Sequence, residues 1–298
     1  LDFLRMIKEI FSFYKMADKI NIQNYSNHTL GEFLKLKKMS DYFINFHIIP
    51  MVSAIWSMPT KLAYEMPMTL FINFFQNHGL FKIKNRPQWY TVSGRSKTYV
   101  NKILNTINGE YFKNYKIKKV LRNKNGIRLY YGSSSEYFDY DNIVFAVHAN
   151  EALEMINEPS NNEKEILKNF QYKKNIGYLH NDDRLMPQRK NLWSSWNSIL
   201  NKENLKENCV TYWLNKLQNL QTDKNYFLTL NPITPVDKSK IIKRIEFTHP
   251  IYDMQTVDAQ KHLSELQGIN NTWFCGSYFG YGFHEDGLKS AIDISNKL

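Results

Sequence analysis

The residues best able to do chemistry in this 298-residue chain lie close to its C-terminus, from Trp273 to Leu288. Glycines at 276, 280, 282 and 287 let the backbone approach a flat ligand closely. The helix predicted to follow them begins with unpaired N–H groups and the positive end of its dipole. Such a helix start suits an electron-rich carbonyl or a phosphate, although glycine turns before helices also occur without a ligand.

Metal chemistry finds little support in the residue spacing. His148, His180, His249 and His284 have no i, i+3 or i, i+4 partners of the kind that bind zinc. The pair Asp182-Asp183 is interpreted as solvated rather than metal-binding. Two cysteines far apart, Cys209 and Cys275, form neither a disulfide framework nor a CxxC pair, which indicates a reducing compartment. We therefore predict no metal.

Charge and hydropathy narrow the class of partner. The net charge of +11 comes from lysines spread over the whole chain without a dense run, so we attribute it to compositional bias and predict no nucleic-acid partner. The most apolar stretch, Tyr42 to Trp56, is too short and too interrupted to span a bilayer. We predict a cytoplasmic protein, and a weak association with anionic membrane surfaces is left open.

Helical spacing dominates residues 1–90. Leu4, Ile7, Phe11 and Tyr14 recur at helical intervals, and Thr29 with Glu32 forms a capping-box pattern. Further helices are predicted after Ser40 and from Pro67 to Gly79. The Phe- and Met-rich composition predicts a helical core in the first place and a lining for an apolar substrate in the second.

Strand patterns begin after a short helix from Ser96. Residues 115–121 and 127–131 predict a hairpin around the turn 123–126, and Ile143 to Val147 predicts a strand buried on both faces, followed by a helix. Strands are also predicted at 209–214, 226–230, 241–247 and 272–275, with loops around Trp193 and Trp196. Helices are predicted at 258–266 and from Glu285.

The C-terminal segment WFCGSYFGYGFHEDGL resembles the FAD motif of the flavin-containing amine oxidase superfamily, and HEDGL resembles one bacterial branch of predicted NAD/FAD-binding proteins. Other segments resemble the same branch in the same order along the chain. These are PMVSAIWS (50–57), NHGL (77–80), RPQW (86–89), LMP (185–187), WSSWN (193–197), TYWLNKLQ (211–218), LNP (230–232) and HP (249–250).

The resemblance implies an α/β fold in which a split Rossmann-like FAD-binding domain carries an inserted substrate domain. It assigns residues 1–90 to a helical part of the substrate domain, 91–159 to the FAD domain, 160–267 to the substrate domain and 268–298 to the FAD domain. It also implies non-covalent FAD, with the adenine edge held by the backbone of Ile117. The remaining implied FAD-binding residues are Gly276, Ser277, Gly282, Phe283, His284, Glu285, Asp286, Gly287 and Leu288.

The sequence differs from the branch in two features, a missing motif and a substituted glycine. No G-x-G-x-x-G turn occurs in residues 1–298, and in the family that turn binds the FAD pyrophosphate. We expect it in a segment before Leu1, so this chain alone should bind FAD poorly and be inactive. Arg95 stands where the branch usually has a second glycine, and its side chain either narrows the approach to the cofactor or extends into solvent.

The resemblance also suggests the chemistry, which is hydride transfer from a hydrophobic, lipid-like or amine substrate to flavin N5. Amine oxidases frame the flavin with aromatic rings, so the candidates for substrate contact are Trp193, Trp196, Tyr212, Trp213, Tyr278 and His284. Packing between two layers is an equally good interpretation for each ring, and capping the local turn for His284. The alternative function is a basic lipid- or membrane-binding module without turnover.

Overall fold

The computed structural model describes residues 1–124, 126–132, 136–201, 204 and 207–298. The chain forms two compact units, each built from two separated segments. Unit 1 contains Leu1–Lys102 and Tyr172–His249, and unit 2 contains Ile103–Gln171 and Pro250–Leu298. Within the part of the chain that the structure describes, no helix has the length and apolar character needed to cross a membrane.

The elements are numbered in chain order. The helices are α1 (Asp2–Ala17), α2 (Leu30–Leu36), α3 (Asp41–Phe43), α4 (Ile49–Trp56), α5 (Thr60–Glu65), α6 (Met68–Asn77), α7 (Ser96–Leu104), α8 (Ala149–Met155), α9 (Asn161–Leu167), α10 (Leu214–Leu217), α11 (Met254–Gln260) and α12 (His284–Ser295). The strands are β1 (Ile117–Asn123), β2 (Gly126–Tyr131), β3 (Glu136–Tyr140), β4 (Ile143–Phe145), β5 (Tyr172–His180), β6 (Trp196–Leu200), β7 (Asn208–Trp213), β8 (Phe227–Leu230), β9 (Ile241–Pro250) and β10 (Thr272–Phe274).

The first segment of unit 1 is a helical core held by aromatic rings, although of the α1 positions singled out by spacing Tyr14 is buried while Leu4 and Phe11 are exposed. Phe13 of α1 is buried and lies 5.3–6.3 Å, centroid to centroid, from the rings of Phe33, Phe43, Phe71 and Phe81. Such tilted and edge-on contacts add to the free energy that burial of the rings already supplies. The helical-core interpretation of the Phe-rich composition is confirmed for these rings.

The predicted helix boundaries are also confirmed. The capping box of α2 is complete, because Glu32 accepts from the Thr29 N–H at 2.8 Å and Thr29 Oγ1 accepts from the Glu32 N–H at 3.2 Å. Ser40 caps α3, and Pro67 immediately precedes α6. Gly79 follows α6 with φ +61°, the left-handed conformation that ends many helices.

Between α3 and α4 the chain forms a π-helix, Ile44–Ile48, which contains His47. The Nε2 atom of His47 lies 3.0 Å from the Tyr14 hydroxyl. Burial lowers the pKa of His47 to about 4 and raises the pKa of Tyr14. His47 is therefore a neutral partner of Tyr14 near pH 7.

The second segment of unit 1 supplies a five-stranded sheet of order β6-β7-β8-β5-β9. Strands β7, β8 and β9 agree with the prediction, whereas β5 and β6 were not predicted, and Trp196 begins β6 rather than lying in a loop. Packing requires glycine at position 177 of β5, because a Cβ there would lie 2.7 Å from the ring of Phe247.

The interpretation of Asp182-Asp183 as a solvated pair is wrong for Asp182, which is buried. Its carboxylate accepts from Arg184 Nη2 at 2.5 Å and from the Asp237 N–H at 2.9 Å, and it lies 3.7 Å from Lys240 Nζ. The Arg184 hydrogen bonds hold its pKa well below the usual range. A buried carboxylate is tolerated here because its charge and lone pairs are satisfied.

Unit 2 contains a three-stranded antiparallel sheet, β1-β2-β3, and a parallel pair, β4 with β10. The predicted hairpin is confirmed by the pairing of Asn123 with Gly126, although Asn125 of its turn lies outside the described residues. Arg122 of β1 forms a buried ion pair with Glu163. Burial acts to raise the pKa of Glu163, but hydrogen bonds from Arg122 and Ser160 outweigh it and the pKa is lowered.

One prediction about unit 2 is wrong. Strand β4 was expected to be buried on both faces, yet Val144 is 42% exposed and only Phe145 is buried. The described residues give β4 a single partner strand, β10, so part of it stays uncovered. The predicted helix at 258–266 is divided into α11 and a 3-10 turn, Leu263–Leu266.

His47 should make the stability of the protein depend on pH. The unfolded histidine binds a proton near pH 6.5 and the folded one only near pH 4, so stability is lost as pH falls through this window. We expect the free energy of unfolding to drop by roughly 1–2 kcal/mol from this group between pH 7 and pH 5. Urea unfolding at both pH values measures it.

The double variant Tyr14→Phe/His47→Phe removes both partners and should lose this part of the pH dependence. His262→Gln is the matched control, because His262 is an exposed histidine whose side chain is 49% accessible. An unchanged pH slope in the double variant would show that His47 is not the responsible group.

Candidate functional site

The candidate site lies at one edge of the parallel pair in unit 2. β4 and β10 run side by side from Ile143 opposite Thr272 to Phe145 opposite Phe274. The next residue, Cys275, donates its N–H to the Phe145 carbonyl at 2.9 Å. Because parallel strands end at the same edge, the segments that follow both strands begin there, and this is where α/β sheets bind ligands.

After β10 the backbone turns through its glycines. Gly276 has φ +155° and Gly282 has φ +96°, so both use conformations that other residues rarely adopt. The turn is held by side chains behind it, since Gln260 Nε2 donates to the carbonyls of Tyr278 at 2.9 Å and Gly280 at 2.7 Å. A glycine turn fixed from behind presents a preformed backbone surface to a ligand.

The first turn of α12 is acidic. Asp286 Oδ2 accepts from the Phe283 N–H at 2.9 Å, and Glu285 lies beside it with Lys289 at 3.8 Å. These carboxylates already complement the positive end of the helix dipole, and they would repel an anion. Of the two ligand groups that the sequence left open, a neutral carbonyl suits this helix start better than a phosphate.

The glycines of this segment differ in whether neighbouring atoms leave room for a Cβ. A Cβ at Gly282 would lie 2.6 Å from the Tyr252 hydroxyl, and a Cβ at Gly280 would collide with the Asp286 carboxylate. A Cβ at Gly287 would meet only backbone atoms of Ser277 and Gly276, at the ordinary contact distances of 3.6 and 3.9 Å. Nothing in the described residues demands glycine inside this helix, where it costs about 1 kcal/mol relative to alanine. A ligand lying close over the first turn of α12 would account for it.

A cavity of about 780 Å³ adjoins β4. Its walls include Ile117 and Leu129 from the antiparallel sheet and the residues from Ile143 to Val147. Its volume falls in the range of cofactor and ligand sites. A bulge between Ile117 and Lys119 interrupts the β1 pairing, so the backbone at Ile117 leaves the regular ladder beside this cavity.

The structure thus divides the predicted cofactor residues into two groups. Ile117 lies on the cavity wall, whereas the group from Gly276 to Leu288 forms the turn and helix start after β10. Ala146, Val147 and His148 follow β4 at the same edge, and they are not among the site residues predicted from the sequence. An apolar strand that runs directly into a helix, as this one does, is the signal that could have identified them.

The aromatic candidates lie in different surroundings. Trp193 is 8% exposed, donates from Nε1 to the Pro187 carbonyl at 2.7 Å and meets Trp213 and Phe227 edge-on. The Tyr212 hydroxyl donates to the Ala54 carbonyl at 3.3 Å, and burial raises its pKa. These contacts favour the packing interpretation for Trp193, Trp213 and Tyr212.

Three further candidates are placed as follows. Trp196 is 46% exposed on β6, with the Tyr212 ring 5.9 Å away. Tyr278 is buried within the glycine turn against Phe170, and His284 is exposed at the first position of α12. Trp196 and His284 are therefore the two exposed residues among the candidates, whereas Tyr212 and Trp213 are partly buried.

Arg95, where the branch usually has glycine, adopts φ +67° and is exposed. Gly94 before it has φ +77°, so two consecutive residues use the left-handed region. An arginine there carries the backbone strain that glycine would avoid. The backbone still has the shape expected of a two-glycine turn.

The described residues contain no group of three or more His, Cys, Asp or Glu placed to hold a metal ion.

The chain matches no family model and no curated protein. It is similar in fold to several solved structures. A fatty acid isomerase from P. acnes that produces CLA is 11% identical, with a TM-score of 0.65 over 100% of this chain and 74% of that one. Putrescine oxidase bound to putrescine is 9% identical, with a TM-score of 0.62 over 99% and 75%.

Cyclohexylamine oxidase from Brevibacterium oxydans is 12% identical, with a TM-score of 0.63 over 98% of this chain and 75% of that one. At these identities the likeness shows the fold alone. The predicted fold class is confirmed: the chain has the mixed α/β fold of these amine oxidases and related enzymes.

The contrast among the glycines predicts a stability difference. Gly282→Ala should lower the free energy of unfolding by about 1–3 kcal/mol, because alanine is strained at φ +96° and its Cβ meets Tyr252. Gly109→Ala is the control in the same unit, since the nearest heavy atom to its Cβ is 3.7 Å away. Chemical denaturation of both variants tests this, and equal stabilities would contradict the described turn.

Proposed function

We propose that this chain forms part of an FAD-dependent oxidoreductase of the amine oxidase type. The observation that carries the proposal is the edge of the β4–β10 pair, where a glycine turn leads into the first turn of α12. The sequence of this segment resembles the FAD motif of that superfamily, and the fold is the one that its members share. The basic lipid-binding alternative is not favoured, because the similar structures are enzymes named for small-molecule substrates.

The residues after β10 fit the carbonyl edge of a flavin ring. The glycine turn offers backbone without side chains, Gly287 leaves room over the helix, and the N-terminus of α12 directs its dipole toward the same edge. Bound FAD would supply hydride acceptance at N5. The role of this chain is to hold the ring and to position the substrate.

The adenine end would use the other group of residues. Ile117 lies on the wall of the 780 Å³ cavity, and its backbone stands at the bulge where the β1 ladder is interrupted. The pyrophosphate between the two ends needs donors that the acidic first turn of α12 does not provide. We infer that a G-x-G-x-x-G turn, which residues 1–298 do not contain, completes the site.

The cysteines support non-covalent attachment. Cys209 and Cys275 are 3% and 6% exposed, and burial raises the pKa of both thiols. A buried protonated thiol is a poor nucleophile, so neither cysteine is suited to form a bond to the flavin.

The substrate is hydrophobic or an amine in this proposal. The Phe-rich helices of unit 1 are packed core, which removes the main sequence argument for a lipid-like substrate. The structures with similar folds include enzymes named for a fatty acid, putrescine and cyclohexylamine, so the fold admits both classes. His284, exposed at the first position of α12 beside the glycine turn, is the side chain we assign to substrate contact.

The first test is an absorbance spectrum. The full-length product of the native reading frame should show flavin bands near ~450 nm, released by denaturation because no covalent bond forms. The 298-residue chain alone should show them weakly or not at all, because the pyrophosphate turn is missing from it. A folded full-length protein that neither retains nor takes up FAD would overturn the proposed function.

Gly287→Ala separates ligand binding from folding. Alanine is the better helix former and meets no close neighbour, so the variant should be as stable as the parent or up to about 1 kcal/mol more stable. Its affinity for FAD, measured by flavin fluorescence in the full-length protein, should fall about tenfold because the Cβ occupies the approach to the ring.

Asp293→Ala is the matched control, an exposed position of the same helix away from its N-terminus. It should leave the affinity for FAD unchanged. Equal affinity in Gly287→Ala and the parent would show that the flavin does not lie over this turn.

A further inference from the structure

Unit 1 contains a cavity of about 330 Å³ that the proposed flavin site does not use. It lies where the end of α4 meets the starts of β5 and β7 and the end of β8. One wall of the cavity is apolar. Its residues are Met58, Pro59, Cys209, Val210, Leu230 and Ile233.

Two polar side chains of this cavity lack hydrogen-bond partners among the described residues. Ser53 is 1% exposed and its Oγ is unpaired, and the Nδ2 of Asn208 is likewise buried and unpaired. An unsatisfied buried polar group costs about 1–3 kcal/mol, so each calls for a ligand or a bound water. Both atoms are covered in this conformation, so a bound molecule reaches them only if the two side chains rotate.

Three other polar residues that line the cavity already have partners, and the first of them, Ser57, has its Oγ 3.4 Å from the Tyr212 hydroxyl. Asn231 Oδ1 accepts from the Ile176 N–H at 2.8 Å, and its Nδ2 donates to Asn175 Oδ1 at 2.6 Å. The Glu207 carboxylate accepts from Asn201 at 2.9 Å and from Asn204 at 3.0 Å. Ser53 and Asn208 therefore provide the hydrogen-bonding capacity that remains, and both can donate.

The charge at the rim favours an anion. Lys173 and Lys174, both exposed, line the cavity, and Glu207 is the one acidic residue among its lining residues in the described chain. The Glu207 carboxylate is bound by the Asn201 and Asn204 amides and keeps its single negative charge. Two ammonium groups against one amide-bound carboxylate leave a net positive rim.

We propose that this cavity binds a small apolar monocarboxylic acid, with its carboxylate on Ser53, Asn208 and the lysine rim and its hydrocarbon part against the apolar wall. The donor set and the charge select an anion rather than an amine. The single cluster of donors selects one carboxylate rather than two. This site stands in unit 1 alone and does not rest on the flavin proposal.

Octanoate is the probe, and calorimetric titration of the full chain without added FAD is the measurement. We expect octanoate to bind with a dissociation constant below about 1 mM, and octylamine and 1-octanol to bind at least about tenfold more weakly. An absence of octanoate binding up to about 5 mM would overturn the proposal. Equal binding of the amine or the alcohol would also overturn it, because the cavity would then recognise only the chain.

Ser53→Ala provides the residue-level test. It removes the unpaired hydroxyl, so the free protein should be no less stable, while the affinity for octanoate should fall about tenfold. Lys173→Gln/Lys174→Gln should weaken binding several-fold, whereas Lys216→Gln, on exposed α10, should not. Unchanged octanoate affinity in Ser53→Ala would show that the donors assigned here do not bind the acid.

Discussion

The candidate site depends on a parallel pairing of only three residues in each strand. β4 and β10 come from distant parts of the chain, and a pair this short has little stability of its own. The stacked rings of Phe145 and Phe274, 5.5 Å apart and both buried, fix it in place. Behind it, Ser290 Oγ accepts from the Gly276 N–H at 2.9 Å and ties α12 to the strand end. The glycine turn, the helix start and the end of β4 share one edge only because this pairing holds.

The charges at this edge determine which part of a dinucleotide can bind there. In a chain of net charge +11, the first turn of α12 nevertheless carries Glu285 and Asp286. Such a helix start accommodates a neutral carbonyl and disfavours a phosphate, so the two ends of a flavin dinucleotide need different binding elements. In unit 1 the local charge has the opposite sign, because Lys173 and Lys174 make the rim of the cavity beside Ser53 positive. Local arrangement, rather than net charge, determines which ligand group each place can take.

Much of the local structure could be predicted from the sequence, because its causes are local. The capping box at Thr29, the Pro67 start and the Gly79 end of α6 each depend on residues within a few positions. Strand β5 was missed because it needs a glycine under Phe247, a contact made across the sheet. Asp182 was taken as solvated because some of its partners, the Asp237 N–H and Lys240, come from far along the chain. For the site, the glycines and helix start were visible in the sequence, whereas the partnership with β4 and the acidic cap required the fold.

The division of each unit into two separated segments affects how the protein can be made. The helices α1 to α6 are synthesised before the strands of unit 1, whose sheet is not complete until β9 has been made at Ile241–Pro250. Unit 2 is completed later, because β4 has no partner strand in the described chain until β10 has been synthesised. Contacts between distant residues form slowly and leave apolar surface exposed meanwhile. The Phe rings of the first segment can pack on one another early, so the apolar strand β4 is the part of unit 2 for which protection by a chaperone would matter.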